Sequence, residues 1–389
     1  MPLPHAIANA SWPDHLVFGE GDGRLDTVDG LRRRFEVWQR DMGAEIVHWR
    51  EVRTRRDLST YYSSDDNPRT HERKIASIEW DDFEVVPEAA HDNGMEAFLY
   101  VSVFDDGRGL LSEEERSISF HNAMHGQHVT WQTDWSRAHP EYAVVDRTGS
   151  IRQWGVLSYA YPEVRAHMAD RIEHHVAGYD FDGVFLCTRS QCRPAEQADQ
   201  FGFNPPVVAA MAEATGVDIT AEDFDLPTWR ALLGSYFTQF LREVRERLEA
   251  KGLKLAVGVP RGDVIGPPLG NWDLQWRTWV DEGIVDDLII GQNSSQCPSM
   301  WHQLWPMHRG YGYLQNYISG SGMPPLIDQV RSTYAPHFDA ARLFVARQWV
   351  QHDEALESEM LAIPGVSGLV FSTFRFDNPS ALAKGDWVA

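Results

Sequence analysis

Acidic side chains recur at the points where apolar runs of this sequence end. Glu20 lies between two glycines in GEGDG, Asp105 follows EAFLYVSVF, and Asp263 sits in PRGDVIGPP directly after KLAVGV. Two carboxyl groups facing one cavity can divide the work of cleaving a glycosidic bond. One stays protonated and gives its proton to the leaving oxygen, while the other, ionised, attacks carbon or activates water. Glu20, Asp105 and Asp263 are therefore the expected catalytic residues. For any one of them the competing explanation is a helix cap, a turn former or a surface charge, the ordinary uses of Asp and Glu at strand ends.

Other side chains near the same points suit recognition. Arg189 and Arg261 carry guanidinium forks that match a carboxylate or sulfate, so an acidic sugar is within their chemistry. Pairing with neighbouring acids is the alternative. Trp49, Trp131, Trp272 and Trp301 are expected to lie against the apolar faces of sugar rings. Gln292 and Asn293, at the end of VDDLIIG, complete the expected binding set.

His121, His125 and His128 in FHNAMHGQHVTW support a rival chemistry. Together with Asp134 they could hold a metal such as zinc and make the chain a metal-dependent hydrolase. Gly126 weakens the helix that would align them, and no HExxH pattern is present. The reading therefore expects no metal. It calls for no cofactor either, since no GxxxxGK[ST] loop occurs and GEGDGR only weakly echoes a dinucleotide loop. Cys187, Cys192 and Cys297 match neither a disulfide framework nor a zinc spacing, and Cys187 is expected to be a buried, inert thiol.

Positioning these groups requires a frame that gathers strand ends. Eight short apolar runs, separated mostly by helical patterns, predict a (β/α)8 barrel with a single domain over residues 1–389. The runs are HLVFGEGDG, AEIVHWREV, EAFLYVSVFDDG, YDFDGVFLC, KLAVGVP, VDDLIIGQN, RLFVARQWV and GLVFSTFRF. Enlarged loops are expected after the third and sixth strands. A small hairpin is expected around Asp146-Arg147-Thr148-Gly149. A doubly wound open sheet is the alternative. In a barrel the carboxyl ends of the strands converge on one face, which would bring the acids above together.

The totals narrow the partners. Of 389 residues, 57 are Asp or Glu and 35 are Lys or Arg, a formal charge of -22 that repels nucleic acid and anionic membranes. A carbohydrate is the expected partner. The first residues, MPLPHAIANASWPDH, lack a charged and an apolar signal region, and no apolar run reaches about 18 residues. The chain as it stands is expected to be cytoplasmic; an exported chain would be one from which a leader had been trimmed.

Across residues 140–291 the sequence resembles the glycosyl-hydrolase-like type 10 group. The resembling pieces are HPEYAVVDRTG, YPEVRAHMADRIEHHVAGYDFDGVFL, FLREVRERLEAKGLKLAVGVPRG and WRTWVDEGIVDD, about two fifths of the chain. The resemblance implies a TIM barrel and carbohydrate hydrolysis. It also implies an Asp at the end of the strand that follows Asp182-Gly183, where this chain has Cys187, Thr188 and Arg189. Acid chemistry is accordingly expected on other strands. A sugar-binding barrel that has lost catalysis is a further reading of the same pattern.

Overall fold

The computed structural model describes residues 6–10, 27–50, 61–63, 80–104, 106–108, 131–188, 201–260, 262–265, 272–291, 326–346 and 354–373. Eight parallel strands close on themselves: β1 (Ala6–Ala10), β2 (Ala44–Arg50), β3 (Glu96–Ser102), β4 (Gly183–Cys187), β5 (Lys254–Val259), β6 (Asp287–Ile290), β7 (Arg342–Ala346) and β8 (Val366–Ser372). They pair in chain order and β8 pairs back onto β1, so the sheet is a (β/α)8 barrel and not an open one.

Helices follow the strands: α1 (Val28–Val37), α2 (Asp82–Asp92), α3 (Pro162–Val176), α4 (Pro205–Thr215), α5 (Leu226–Glu249), α6 (Trp276–Asp281), α7 (Leu326–Gln329) and α8 (Glu354–Leu361). α1 runs on through a π turn to Met42, and Gly43, with φ of 69°, reverses the chain into β2. That stop is readable in the sequence, because glycine alone adopts the left-handed conformation without strain. Two stretches between strand and helix are long, as expected: β3 ends at Ser102 with α3 starting at Pro162, and β6 ends at Ile290 with α7 starting at Leu326. The first of them contains the expected hairpin, with strands Ala143–Val145 and Arg152–Leu157.

One strand is elsewhere than expected. The first barrel strand is AIANA at Ala6–Ala10, upstream of HLVFGEGDG, whose residues fall outside those described. Alanine has low strand propensity, so this run carries little sequence signal. Its pairing with β2 and β8 and its burial on both sides make it a strand.

Burial is arranged as two layers. Inward side chains, among them Ile7, Ile46, Phe98, Phe185, Ile289, Phe344 and Val370, fill the barrel. Outward ones, such as Val47, Leu99, Leu186, Val257, Leu288 and Val345, pack against the helices. Because the strands are covered on both faces, they read as continuous apolar runs rather than alternating ones.

The Asp-Gly pair before β4 is structural. Asp182 Oδ2 accepts from the amide of Ala97 at 2.8 Å and from His91 Nε2 at 2.9 Å, and the Asp182 amide donates to the Ala97 carbonyl at 2.8 Å. Asp286 repeats the device before β6, its Oδ2 accepting from the Leu255 amide at 2.8 Å while its own amide donates to the Leu255 carbonyl. Gly183 has no room for a side chain: a Cβ there would stand 2.5 Å from Phe98 Cε1 and 2.7 Å from the Lys254 carbonyl oxygen. Gly183→Ala is expected to lower the unfolding free energy by about 1–3 kcal/mol, the usual cost of overpacking a tight interior. An unchanged urea midpoint would contradict this packing account.

Candidate functional site at the carboxyl face

Alternation along each strand, combined with the registers, stacks the inward residues in tiers toward the carboxyl face. His48, Phe185, Ile289 and Val370 form one tier. Asn9, Tyr100, Gly258 and Ala346 lie above it, followed by Arg50, Cys187 and Gly291. Ring contacts agree with this order. His48 stacks on Phe185 at 4.0 Å and Tyr100 meets the same ring edge-on at 5.0 Å. One tier higher, the Tyr100 hydroxyl donates to Cys187 Sγ at 3.2 Å, and the Arg50 guanidinium lies 5.6 Å from the Tyr100 ring centre.

The two upper tiers are small on one side and polar on the other. Gly258, Ala346 and Gly291 come from β5, β7 and the turn after β6, whereas Asn9, Arg50, Tyr100 and Cys187 come from β1 to β4. Hydrogen-bonding groups thus occupy the inward positions of one half of the upper barrel and small residues those of the other. His48, one tier lower, is fully buried, and neither ring nitrogen has a hydrogen-bond partner among the described residues. Burial, with the Arg342 charge adding to it, pulls its pKa down to about 3, so the ring is neutral.

Asp263 is the expected catalytic residue that the structure describes. It lies four residues beyond β5, with its side chain 60% exposed. Its Oδ1 accepts from Trp276 Nε1 at 2.9 Å and Arg277 Nη1 at 3.1 Å, both in the first turn of α6. The Tyr334 hydroxyl steadies the same turn by accepting from the Gly262 amide at 2.7 Å. Glu20, Asp105, Arg189, Arg261, Gln292, Asn293, Trp301 and the side chain of Trp131 fall outside the described residues, as do His121, His125 and His128. Among the described residues no group of three His, Cys, Asp or Glu side chains could hold a metal ion.

Two of the expected sugar platforms are core residues instead. Trp49 is fully buried on the helix side of β2, near Phe35, with its Nε1 donating to Asp82 Oδ2 at 2.8 Å. Its strand neighbours His48 and Arg50 take the inward positions. Trp272 is buried against Phe104 and Phe237, with ring centres 5.6 and 5.1 Å apart. Trp135 stacks with His167 at 4.0 Å and with Tyr142 at 5.3 Å. Trp38, Trp229, Trp276 and Trp279 are also fully buried, so in the described part of the chain tryptophan chiefly fills volume.

Asn9, His48, Arg50 and Tyr100 are the residues that the sequence reading passed over. A lone imidazole and a guanidinium two residues apart in AEIVHWREV are the available signal for β2, since their spacing puts them on one face. Cys187 is buried, in agreement with the expectation of a buried thiol. Asp106 is also buried but turns to the helix layer, its Oδ1 accepting from Arg171 Nη1 at 3.1 Å.

No protein-family model matches the chain, and no curated protein matches it in sequence. Among solved structures it is similar to the PgaB (BpsB) glycoside hydrolase domain from Bordetella bronchiseptica. Identity there is 11%, with 100% of this chain and 99% of that chain covered and a TM-score of 0.49. It is also similar to alpha-L-fucosidase isoenzyme 2 from Paenibacillus thiaminolyticus, at 12% identity, 99% and 49% coverage and a TM-score of 0.48. A third is the maltogenic alpha-amylase AmyB from Thermotoga neapolitana, at 12% identity, 96% and 68% coverage and a TM-score of 0.46. The chain thus spans about half the length of the fucosidase. The barrel assignment itself stands on strand order and closure.

Proposed function

We propose that this barrel is a glycoside hydrolase that cleaves an oligosaccharide or polysaccharide with a pair of rim carboxylates. The observation that carries the reading is the set of inward polar groups toward the carboxyl face: the Asn9 amide, the neutral His48 ring and the Tyr100 hydroxyl. Uncharged groups that both donate and accept suit a polyhydroxylated ligand. Arg50 at the same face, with Arg189 and Arg261 in the segments after β4 and β5, would receive the carboxylate of an acidic sugar. The resemblance of residues 140–291 to the glycosyl-hydrolase-like type 10 group points the same way.

The acids assigned to the reaction are Asp263 with Asp105 or Glu20. One carboxylic acid protonates the glycosidic oxygen as the bond to carbon breaks. The other carboxylate attacks the anomeric carbon or takes a proton from the water that does. Trp276 and Arg277 hold one Asp263 oxygen in a fixed orientation, which a reacting carboxylate needs. Asp263→Asn, Asp105→Asn and Glu20→Gln, assayed on the glycoside that the wild-type protein cleaves best, test the assignment. Asp263→Asn and one of the other two are expected to lose turnover by about 10²-fold or more, with the fold intact by circular dichroism. Near-normal turnover of Asp263→Asn would remove it from the pair.

A binding barrel without catalysis is the second reading. It is favoured by the engagement of Asp263 with α6, which is also how a purely structural carboxylate would behave. Saturable binding of glycosides, uronides included, with no release of reducing ends would decide for it.

A further inference from the structure

We infer that Asn9 and His48 form a recognition pair that holds one hydroxyl group of a sugar inside the carboxyl half of the barrel. The inference rests on the carbohydrate reading above and gives it a defined contact. Asn9 and His48 are direct neighbours across the β1–β2 ladder, and alternation with Ile7 and Ile46 turns both inward.

Three buried polar atoms on this pair have no partner among the described residues: Asn9 Oδ1, His48 Nδ1 and His48 Nε2. A buried polar group left without a hydrogen bond costs about 1–3 kcal/mol, and native proteins rarely tolerate one. Here the deficit falls on adjacent positions. Asp82 is different, since its other oxygen is held by Trp49. His48 has no polar contact at either nitrogen and relies on the Phe185 ring for its packing. An apolar residue would fill that space at lower cost, so the imidazole has another use. Local rules are broken in this way chiefly where function requires it.

The chemistry of the gap selects its occupant. A neutral imidazole carries one N–H and one lone pair, and Asn9 Oδ1 adds an acceptor. A hydroxyl group can give its proton to Asn9 Oδ1 and accept from the His48 N–H, satisfying two of the three atoms. An ionised carboxylate could only accept, leaving the amide oxygen unpaired. Asn9 is half-buried while His48 is wholly buried, so the amide links the ring to the face above. Gly258 and Ala346, in the tier with Asn9, are small.

The test uses the full chain and glucose, galactose, mannose, xylose and glucuronate as probes. Calorimetry measures affinity, and long-range nitrogen–proton spectra follow the His48 ring. For a sugar that binds, the His48 nitrogens are expected to shift saturably with the calorimetric affinity. His48→Leu and Asn9→Ala are each expected to weaken binding about tenfold, the value of one hydrogen bond to a neutral group. His48→Leu is also expected to keep or raise the denaturation midpoint at pH 7, which a purely structural histidine would not do. Wild-type affinity in both variants, or ring signals that stay fixed at saturation, overturns the pair and leaves the carbohydrate reading standing. If none of the sugars binds the wild-type protein and no glycoside is cleaved, the pair and the carbohydrate reading fall together.

Discussion

Replacing His48 by leucine should flatten the acid side of the stability curve. In the unfolded chain the imidazole takes up a proton near pH 6.5, whereas burial in the barrel keeps it neutral down to about pH 3. Between those limits the unfolded chain binds a proton that the native chain refuses. The stability associated with the neutral ring is therefore fully present above pH 6.5 and drains away as pH falls toward 3. At about 1.4 kcal/mol per pH unit the loss approaches 4–5 kcal/mol at the acid end. Relative to wild type, His48→Leu should gain about that amount between pH 7 and pH 3, measured as urea midpoints. His167, whose pKa burial lowers to about 4, contributes to both proteins and cancels in the difference. Parallel curves for the two proteins would show that His48 is solvated in the native state.

Arg342→Met should be the most damaging single change at the opposite end of the barrel. There Asp287, fully buried, accepts from Arg342 Nε at 2.6 Å and Nη2 at 2.8 Å, while Glu96 bridges Arg342 at 3.2 Å and also meets Lys254. Burial pushes the Asp287 pKa up, and the arginine opposes it. Removing the arginine strands a buried carboxylate, a change that costs about 3–5 kcal/mol in a closed interior. The arginine and Glu96 side chains are 37% and 31% exposed, so the lower end, about 3 kcal/mol, is expected. The pH dependence identifies the cause. With its folded pKa raised, Asp287 favours the native state most at low pH and progressively less as pH rises through that value. Arg342→Met should therefore be closer to wild type at pH 5 than at pH 8. Adding Asp287→Leu should recover much of the loss, since both charges are then gone. A single variant as stable as wild type, or a double variant weaker than the single, would contradict this.

These two expectations concern opposite ends of one barrel, and the contrast is informative. At the amino end every described inward charge is paired across strands. At the carboxyl end the described inward groups are mostly uncharged, and some lack partners. The first arrangement is suited to holding strands together, the second to meeting something else.

Much of the frame was legible in the sequence. YDFDGVFLC announces β4 because Asp182-Gly183 is a turn signal and an apolar run follows at once. AIANA was missed because alanine marks neither helix boundary nor strand, and its burial on both sides is visible only once the sheet closes. The site was less legible, for a reason specific to barrels. When both faces of a strand are buried, hydrophobicity no longer tells inward from outward. In β2 the large aromatic Trp49 looked like the functional residue, yet the polar His48 and Arg50 beside it hold the inward parity. The resembling motifs share the same limit: Asp182-Gly183 and the acids before β6 do structural work at the amino end, so they identify a frame without locating its chemistry.

The central claim is hydrolysis of a glycosidic bond at the carboxyl face. Release of reducing ends from a panel of neutral and uronic oligosaccharides, measured for the wild-type protein and for Asp105→Asn combined with Asp263→Asn, tests it most directly. The account predicts release by the wild-type protein from at least one member and a loss of about 10²-fold or more in the double variant. No release from any member, or equal release by the two proteins, would contradict it.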